Sequence, residues 1–168
     1  AYEKSPLNNF EKNKFKDLFL NRYPEFDIMF EEAAQETGIE KNLLAAISFQ
    51  ESQWDPRAQS NMGVRGMMMV TLETAALVGV EKRLNPEQNI KGGAKYFAML
   101  KEKNIVGETD ADQLSTTLAS YNLGPTNINK IANQINSDVQ TVSWTEIKEK
   151  LKVIKGSELN LVDRESYS

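Results

Sequence analysis

Apolar residues recur at three- and four-residue spacing along most of this chain, and proline or glycine breaks the pattern at short intervals. That spacing collects side chains on one face of an α-helix. No stretch alternates apolar and polar residues for long enough to suggest a strand, and no tandem repeat is visible. The pattern predicts an all-α fold of seven or eight short helices, and 168 residues suffice for one domain with its own core.

Residues 1–6 read as a tail. Leu7, Phe10, Leu18 and Phe19 mark a first helix to Leu20. Pro24 breaks the chain and can open a second, with Phe26, Met29, Phe30, Ala33 and Ala34 as its apolar stripe and Gly38 as its end. A third carries Leu43, Leu44, Ile47 and Glu51, and must stop near Pro56, because a residue before proline is pushed out of the helical region. Residues 55–66 read as loop, and a short helix runs from about Thr71 to Val78.

Asn85-Pro86-Glu87-Gln88 is a helix start with a capping asparagine and with Gln88 where a capping-box partner would stand. Ile90, Ala94, Phe97 and Ala98 give its buried face, and 104–111 is a polar connection containing Gly107. Leu114, Leu118 and Tyr121 mark the next helix, ended by Asn122-Leu123-Gly124-Pro125. Ile128, Ile131, Ala132 and Ile135 mark another. Ser143-Trp144-Thr145-Glu146 is a capping box opening a last helix with Ile147 and Leu151, before a polar tail from about Lys155.

Composition narrows the chemistry. The chain has no cysteine and no histidine, which removes thiol catalysis, histidine-based triads and the usual zinc sites. Acid–base work falls to Asp, Glu, Tyr or Lys. A net charge of −4 argues against nucleic acid or anionic membrane as the main partner. No apolar run approaches the roughly 20 residues of a membrane span, and Ala1 does not open a signal-peptide pattern.

Glu51 is the leading candidate. It follows an apolar run, lies in line with Leu44 and Ile47, and stands near a helix C-terminus, where the dipole disfavours its charge. Burial there would raise its pKa and suit it to donate a proton, whereas a solvated glutamate on a helix end is the plain reading. A two-carboxylate hydrolase needs a second acid. Asp55 looks like turn chemistry and Glu73 like a first-turn dipole partner, so neither is a good candidate.

In the loop from Ser60 to Gly66, the glycines either serve a turn through positive φ or let backbone approach a ligand. Met67-Met68-Met69 reads mainly as packing, with a pocket-lining role as the alternative. Tyr121-Asn122 is either a core tyrosine with a helix-stop asparagine, or a phenol and an amide aimed into a cleft.

Taken together, Glu51-Ser52-x-Trp54-Asp55-Pro56-x-Ala58-x-Ser60-x-x-Gly63-x-x-Gly66-x-Met68 resembles the signature of the SLT-type, goose-lysozyme-like lytic transglycosylases. Asn89-Ile90-x-x-Gly93-Ala94-x-Tyr96 and Ala119-Ser120-Tyr121-Asn122-Leu123-Gly124-Pro125 resemble further blocks of that family in the same order. Val64-Arg65-Gly66-Met67-Met68-Met69-Val70-Thr71-Leu72 and Ser143–Lys148 are similar to its F-type branch. Met69 and Leu72, where many members have glutamine and proline, fit that branch too.

The resemblance implies a lysozyme-like helical domain with a substrate cleft, residues 1–38 leading into a catalytic domain at 39–168. It implies cleavage of the β-1,4 bond between N-acetylmuramic acid and N-acetylglucosamine in peptidoglycan, with a 1,6-anhydromuramoyl product. Glu51 would be the only catalytic carboxylate, and no metal or cofactor would be needed. Ser60, Met68, Tyr121 and Asn122 would bind substrate, with the Tyr121 hydroxyl towards Glu51.

It also implies a monomer acting on glycan strands in the periplasm, attached to the outer membrane in a longer protein with an N-terminal solute-binding-like domain. The family continues into a further C-terminal helix, so a shortened C-terminus is expected. The alternatives are a goose-type lysozyme hydrolase, in which water replaces the muramoyl C6 hydroxyl, and a non-catalytic peptidoglycan-binding module.

Overall fold

The computed structural model describes residues 8–154. The expected tails, and the apolar position Leu7, lie outside them. The described residues form eight α-helices: α1 (Asn9–Asn21), α2 (Asp27–Thr37), α3 (Lys41–Ser52), α4 (Leu72–Val78), α5 (Pro86–Lys103), α6 (Asp110–Leu123), α7 (Pro125–Ile135) and α8 (Trp144–Val153). Short 3-10 turns lie at Tyr23–Glu25 and Val139–Thr141. Extended pairing among the described residues is limited to isolated antiparallel bridges, Gln59 with Arg65 and Arg65 with Val70. The all-α expectation therefore holds. The chain divides into two compact units, Ala1–Ala94 and Lys95–Ser168.

In the first unit, α1 buries no side chain, and Phe10 is 76% exposed. Its apolar spacing marks a helix as expected, and the helix start rests on a local device. Asn8 accepts the Glu11 N–H at 2.9 Å while the Glu11 carboxylate accepts the Asn8 N–H at 2.9 Å. Pro24 opens the 3-10 turn rather than α2, which begins at Asp27. Phe26, Phe30 and Ala33 are buried as expected, and α2 ends at Gly38 with φ 71°.

At α5, Asn85 caps by accepting the Gln88 N–H at 3.0 Å. Gln88 does not complete a capping box. Its side-chain oxygen accepts the N–H groups of Glu81 and Lys82 at 3.1 and 3.0 Å, tying the preceding loop to the helix instead.

In the second unit, Val106, Ile128, Ile131, Ala132, Val139, Val142 and Ile147 form the core, with Leu123, Ile135, Trp144 and Leu151 packed against it. The buried face of α6 differs from the expected leucine stripe. Leu114 is 38% exposed, while Thr116, Thr117, Ser120 and Tyr121 are buried. The hydroxyls can go inside because they are partnered. The Asn104 amide lies 2.8 and 2.9 Å from the Thr116 and Thr117 hydroxyls, and Thr116 donates to the Val106 carbonyl at 2.7 Å.

Asp112 links two helix starts in this unit. One oxygen accepts the N–H and hydroxyl of Thr109, completing the α6 capping box, and the other accepts the Trp144 N–H of α8 at 2.8 Å. The Trp144 N–H, then the Thr109 hydroxyl, hold the carboxyl below its ordinary pKa. A depressed carboxyl stabilises the fold above its unfolded pKa, and that contribution is lost as pH falls through the folded value. Asp112→Ala should therefore cost about 1–2 kcal/mol near neutral pH, read as a lower urea midpoint. The gap to the parent should narrow as pH falls below the ordinary carboxylate range.

Candidate functional site

Glu51 occupies the last turn of α3 and is half-buried, on the side of the helix that buries Leu44 and Ile47. The helix stops at Ser52, earlier than Pro56 requires, because Gln53 and Trp54 both turn left-handed, at φ 52° and 58°. Left-handed backbone costs an ordinary L residue roughly 1–2 kcal/mol, so tertiary contacts must hold this turn. The Arg22 guanidinium donates to the Gln53 carbonyl at 3.1 Å, and the Trp54 indole N–H donates to the Ala45 carbonyl at 2.9 Å. Phe49 and Tyr23 flank the Trp54 ring at 4.8 and 4.9 Å, with Phe15 and Phe19 further out at 5.9 and 6.3 Å.

The same helix grips the following loop. The buried Ser48 hydroxyl donates to the Met67 carbonyl at 2.8 Å. The Ser52 hydroxyl lies 2.8 Å from that carbonyl and 3.0 Å from the Ser48 carbonyl. Met67 and Met68 are fully buried, as their packing reading expects, whereas Met69 is half-buried at φ 50°.

Asn89, on α5 and fully buried, holds the loop from the other direction. Its amide oxygen accepts the Met68 N–H at 2.7 Å, and its amide nitrogen donates to the carbonyls of Arg65 and Arg83 at 2.9 and 2.7 Å. Gly66 lies against this amide at φ 87°. A Cβ there would collide with the Arg83 carbonyl oxygen and the Asn89 side chain. Turn geometry and the Asn89 contact therefore account for Gly66, and Gly63 shares the positive φ at 78° with open space around it.

Ser60 shapes the tip of the loop. Its hydroxyl oxygen accepts the N–H groups of Met62 and Val64, both at 3.2 Å, and its own N–H donates to the Val64 carbonyl at 3.0 Å. Both lone pairs are used, and the hydroxyl proton has no acceptor among the described residues. The half-buried side chain is thus left with a donor to offer a ligand.

Asp55 accepts the Arg57 N–H at 2.9 Å, which is turn chemistry, and Glu73 sits exposed in the first turn of α4. Among the described residues no group of three or more Asp or Glu side chains could hold a metal ion.

Glu51, Ser60 and Met68 belong to the first unit, and Tyr121 and Asn122 to the second. Tyr121 is buried near the end of α6, its ring 5.6 Å from Tyr96 and 6.2 Å from Phe97. Asn122 follows it, half-buried, before Gly124 turns the chain at φ 88°.

The supporting roles of Ser48, Asn89 and Arg83 are not evident from the sequence pattern. Asn89 alone carried a visible signal, a polar residue in helical register with the buried Gly93 and Phe97.

The family model described as the transglycosylase SLT domain matches residues 28–142. The chain belongs to that family. It is 39% identical over 157 residues to the membrane-bound lytic murein transglycosylase F 1 of Alkalilimnicola ehrlichii, covering 92% of this chain and 31% of that protein. It is 37% identical to the membrane-bound lytic murein transglycosylase F of Marinobacter nauticus, covering 96% and 32%. For the protein of that name from Aliivibrio fischeri the identity is 38%, covering 80% and 27%. The chain thus spans about a third or less of the curated relatives it matches. Among the described residues no helix is long and apolar enough to cross a membrane.

Removing the Asn89 amide takes the partner from the Met68 N–H and the Arg83 carbonyl, while the Arg65 carbonyl still accepts the Val70 N–H at 2.9 Å. Asn89→Ala should cost about 2–4 kcal/mol, since each buried polar group left unpaired costs on the order of 1–3 kcal/mol. Chemical denaturation measures it, and a loss under 1 kcal/mol would show that the amide is not what pins the loop.

Proposed function

We propose that this chain is the catalytic module of a peptidoglycan lytic transglycosylase. The observation that carries the reading is Glu51, a half-buried carboxyl in the last turn of a helix clamped on both sides of its end. The protonated carboxyl gives its proton to the glycosidic oxygen between N-acetylmuramic acid and N-acetylglucosamine, and the C1–O bond breaks. The resulting carboxylate takes the proton of the muramoyl C6 hydroxyl as that oxygen bonds to C1. Proton and electrons balance, the product end is 1,6-anhydromuramoyl, and Glu51 is protonated again.

One carboxyl suffices because the nucleophile is part of the substrate and already positioned. The structural duties of Asp55 and the exposure of Glu73 support a one-acid scheme.

Ser60 donates its remaining proton to a substrate acceptor such as the muramoyl acetamido carbonyl. Met68 backs the loop that carries Ser60. Tyr121 and Asn122 contribute polar groups to substrate binding, an assignment that rests on their match to the family's Ala-Tyr-Asn-x-Gly block. The relatives' names speak of a membrane-bound protein, and their extra length leaves room for a solute-binding-like domain. The site of action that fits is the periplasm, with attachment to the outer membrane made by parts of the longer protein.

Mass spectrometry of digested peptidoglycan tests the reaction type. The expected product carries an anhydro end, and a reducing end would make the protein a lysozyme-type hydrolase instead. Glu51→Gln should lower turnover by at least about a thousand-fold, the upper range for a general acid–base group, with the helical circular dichroism unchanged. Substantial activity in that variant would end the assignment.

A further inference from the structure

Two arginines meet at the loop that Ser60 opens, Arg65 within it and Arg83 from the connection between α4 and α5. Arg65 pairs its backbone with Gln59, the neighbour of Ser60, and with Val70. The Arg83 guanidinium donates to the carbonyls of Gly63 and Val70 and so sits over the same turn. Both side chains are half-buried. Among the described residues neither has a carboxylate within ion-pair distance. Among those residues the Arg65 guanidinium makes no hydrogen bond, and its Nε is buried without a partner.

Burial, together with the positive charge of Arg65, holds Arg83 below its ordinary pKa, as two like charges in partial shelter require. A chain of net charge −4 has acids to spare, yet among the described residues none neutralises this pair. Half-buried guanidiniums without a counterion form a receptor for an oxyanion, which a planar fork can take in two parallel hydrogen bonds.

We propose that Arg65, backed by Arg83, binds a free carboxylate of the peptide stem attached to the muramoyl residue, making this loop a reader of peptide-bearing glycan. The inference rests on the transglycosylase reading above. The carboxylate is the anion that such a substrate supplies, since the stem springs from the same sugar whose acetamido group lies within the proposed reach of Ser60. Arg83 spends donors on Gly63 and Val70 and has a structural duty, whereas Arg65 has none in its side chain.

The test uses the 168-residue chain carrying Glu51→Gln, so that strands bind without being cut, with and without Arg65→Gln. Three glycan strands are compared by equilibrium binding: one with native stems, one with the stem carboxylates amidated, and one stripped of stems by an amidase. The native strand should bind about ten-fold tighter than the other two, the size of one charge-assisted hydrogen bond. Arg65→Gln should erase that preference and leave affinity for the stripped strand unchanged.

Equal affinity for all three strands, no binding to any, or a uniform loss in Arg65→Gln would overturn the proposal. Anhydro product from the unsubstituted chain without stem preference sinks this inference alone. Stem preference without anhydro product sinks the transglycosylase reading and leaves the carboxylate site standing.

Discussion

One buried amide does most to define the candidate site. Asn89 closes two hydrogen bonds with the loop, to Met68 and Arg65, and a third to Arg83 in the connection between α4 and α5, in an interior where an unmade bond is expensive. Ser48 works on the adjoining peptide unit, holding the Met67 carbonyl. Thus α3 grips the Met67 carbonyl and α5 grips the Met68 N–H, and the peptide group between those two residues is fixed at both of its polar ends. The loop around Ser60 is long and almost free of regular pairing, yet its root is anchored by hydrogen bonds from two helices.

The catalytic candidate depends on a second constraint, the strained exit of α3. A helix that ended in glycine would finish without help. This one ends in Gln53 and Trp54, and the energy of two left-handed residues is offset by Arg22, by the Ala45 carbonyl and by aromatic packing. Strain of this kind persists only where surroundings over-determine the conformation, and it concentrates at functional sites. The α1 helix, which buries nothing of its own, finds its role here, because Phe15 and Phe19 lie at tilted angles beside the indole.

Much of this was legible beforehand, and the misses share a cause. Helical periodicity placed α2, α3, α5 and α7, and capping residues placed the starts of α5 and α8 to within a residue. Glu51 stood out because a charge at the end of an apolar run is anomalous. The failures came where polar side chains replace apolar ones inside. Thr116 and Thr117 displaced Leu114 from the core because Asn104, distant in sequence, partners their hydroxyls. Gln88 left its expected cap for Glu81 and Lys82. Nor did the sequence foretell that two arginines would meet with no acid beside them among the described residues. Hydrogen-bond partners across a fold follow from three-dimensional proximity, which local spacing does not encode.

The placement of Trp54 carries a practical consequence. The chain has two tryptophans, and each compact unit holds one. Trp54 is 2% exposed beneath the turn that follows Glu51, while Trp144 begins α8 and packs half-buried on the second unit's core. Indole emission shifts to longer wavelength as water gains access, so a chain retaining only one of the two indoles gives an optical signal from one unit alone. Whether the units melt together or in succession, and whether a ligand steadies one before the other, becomes a matter of colour.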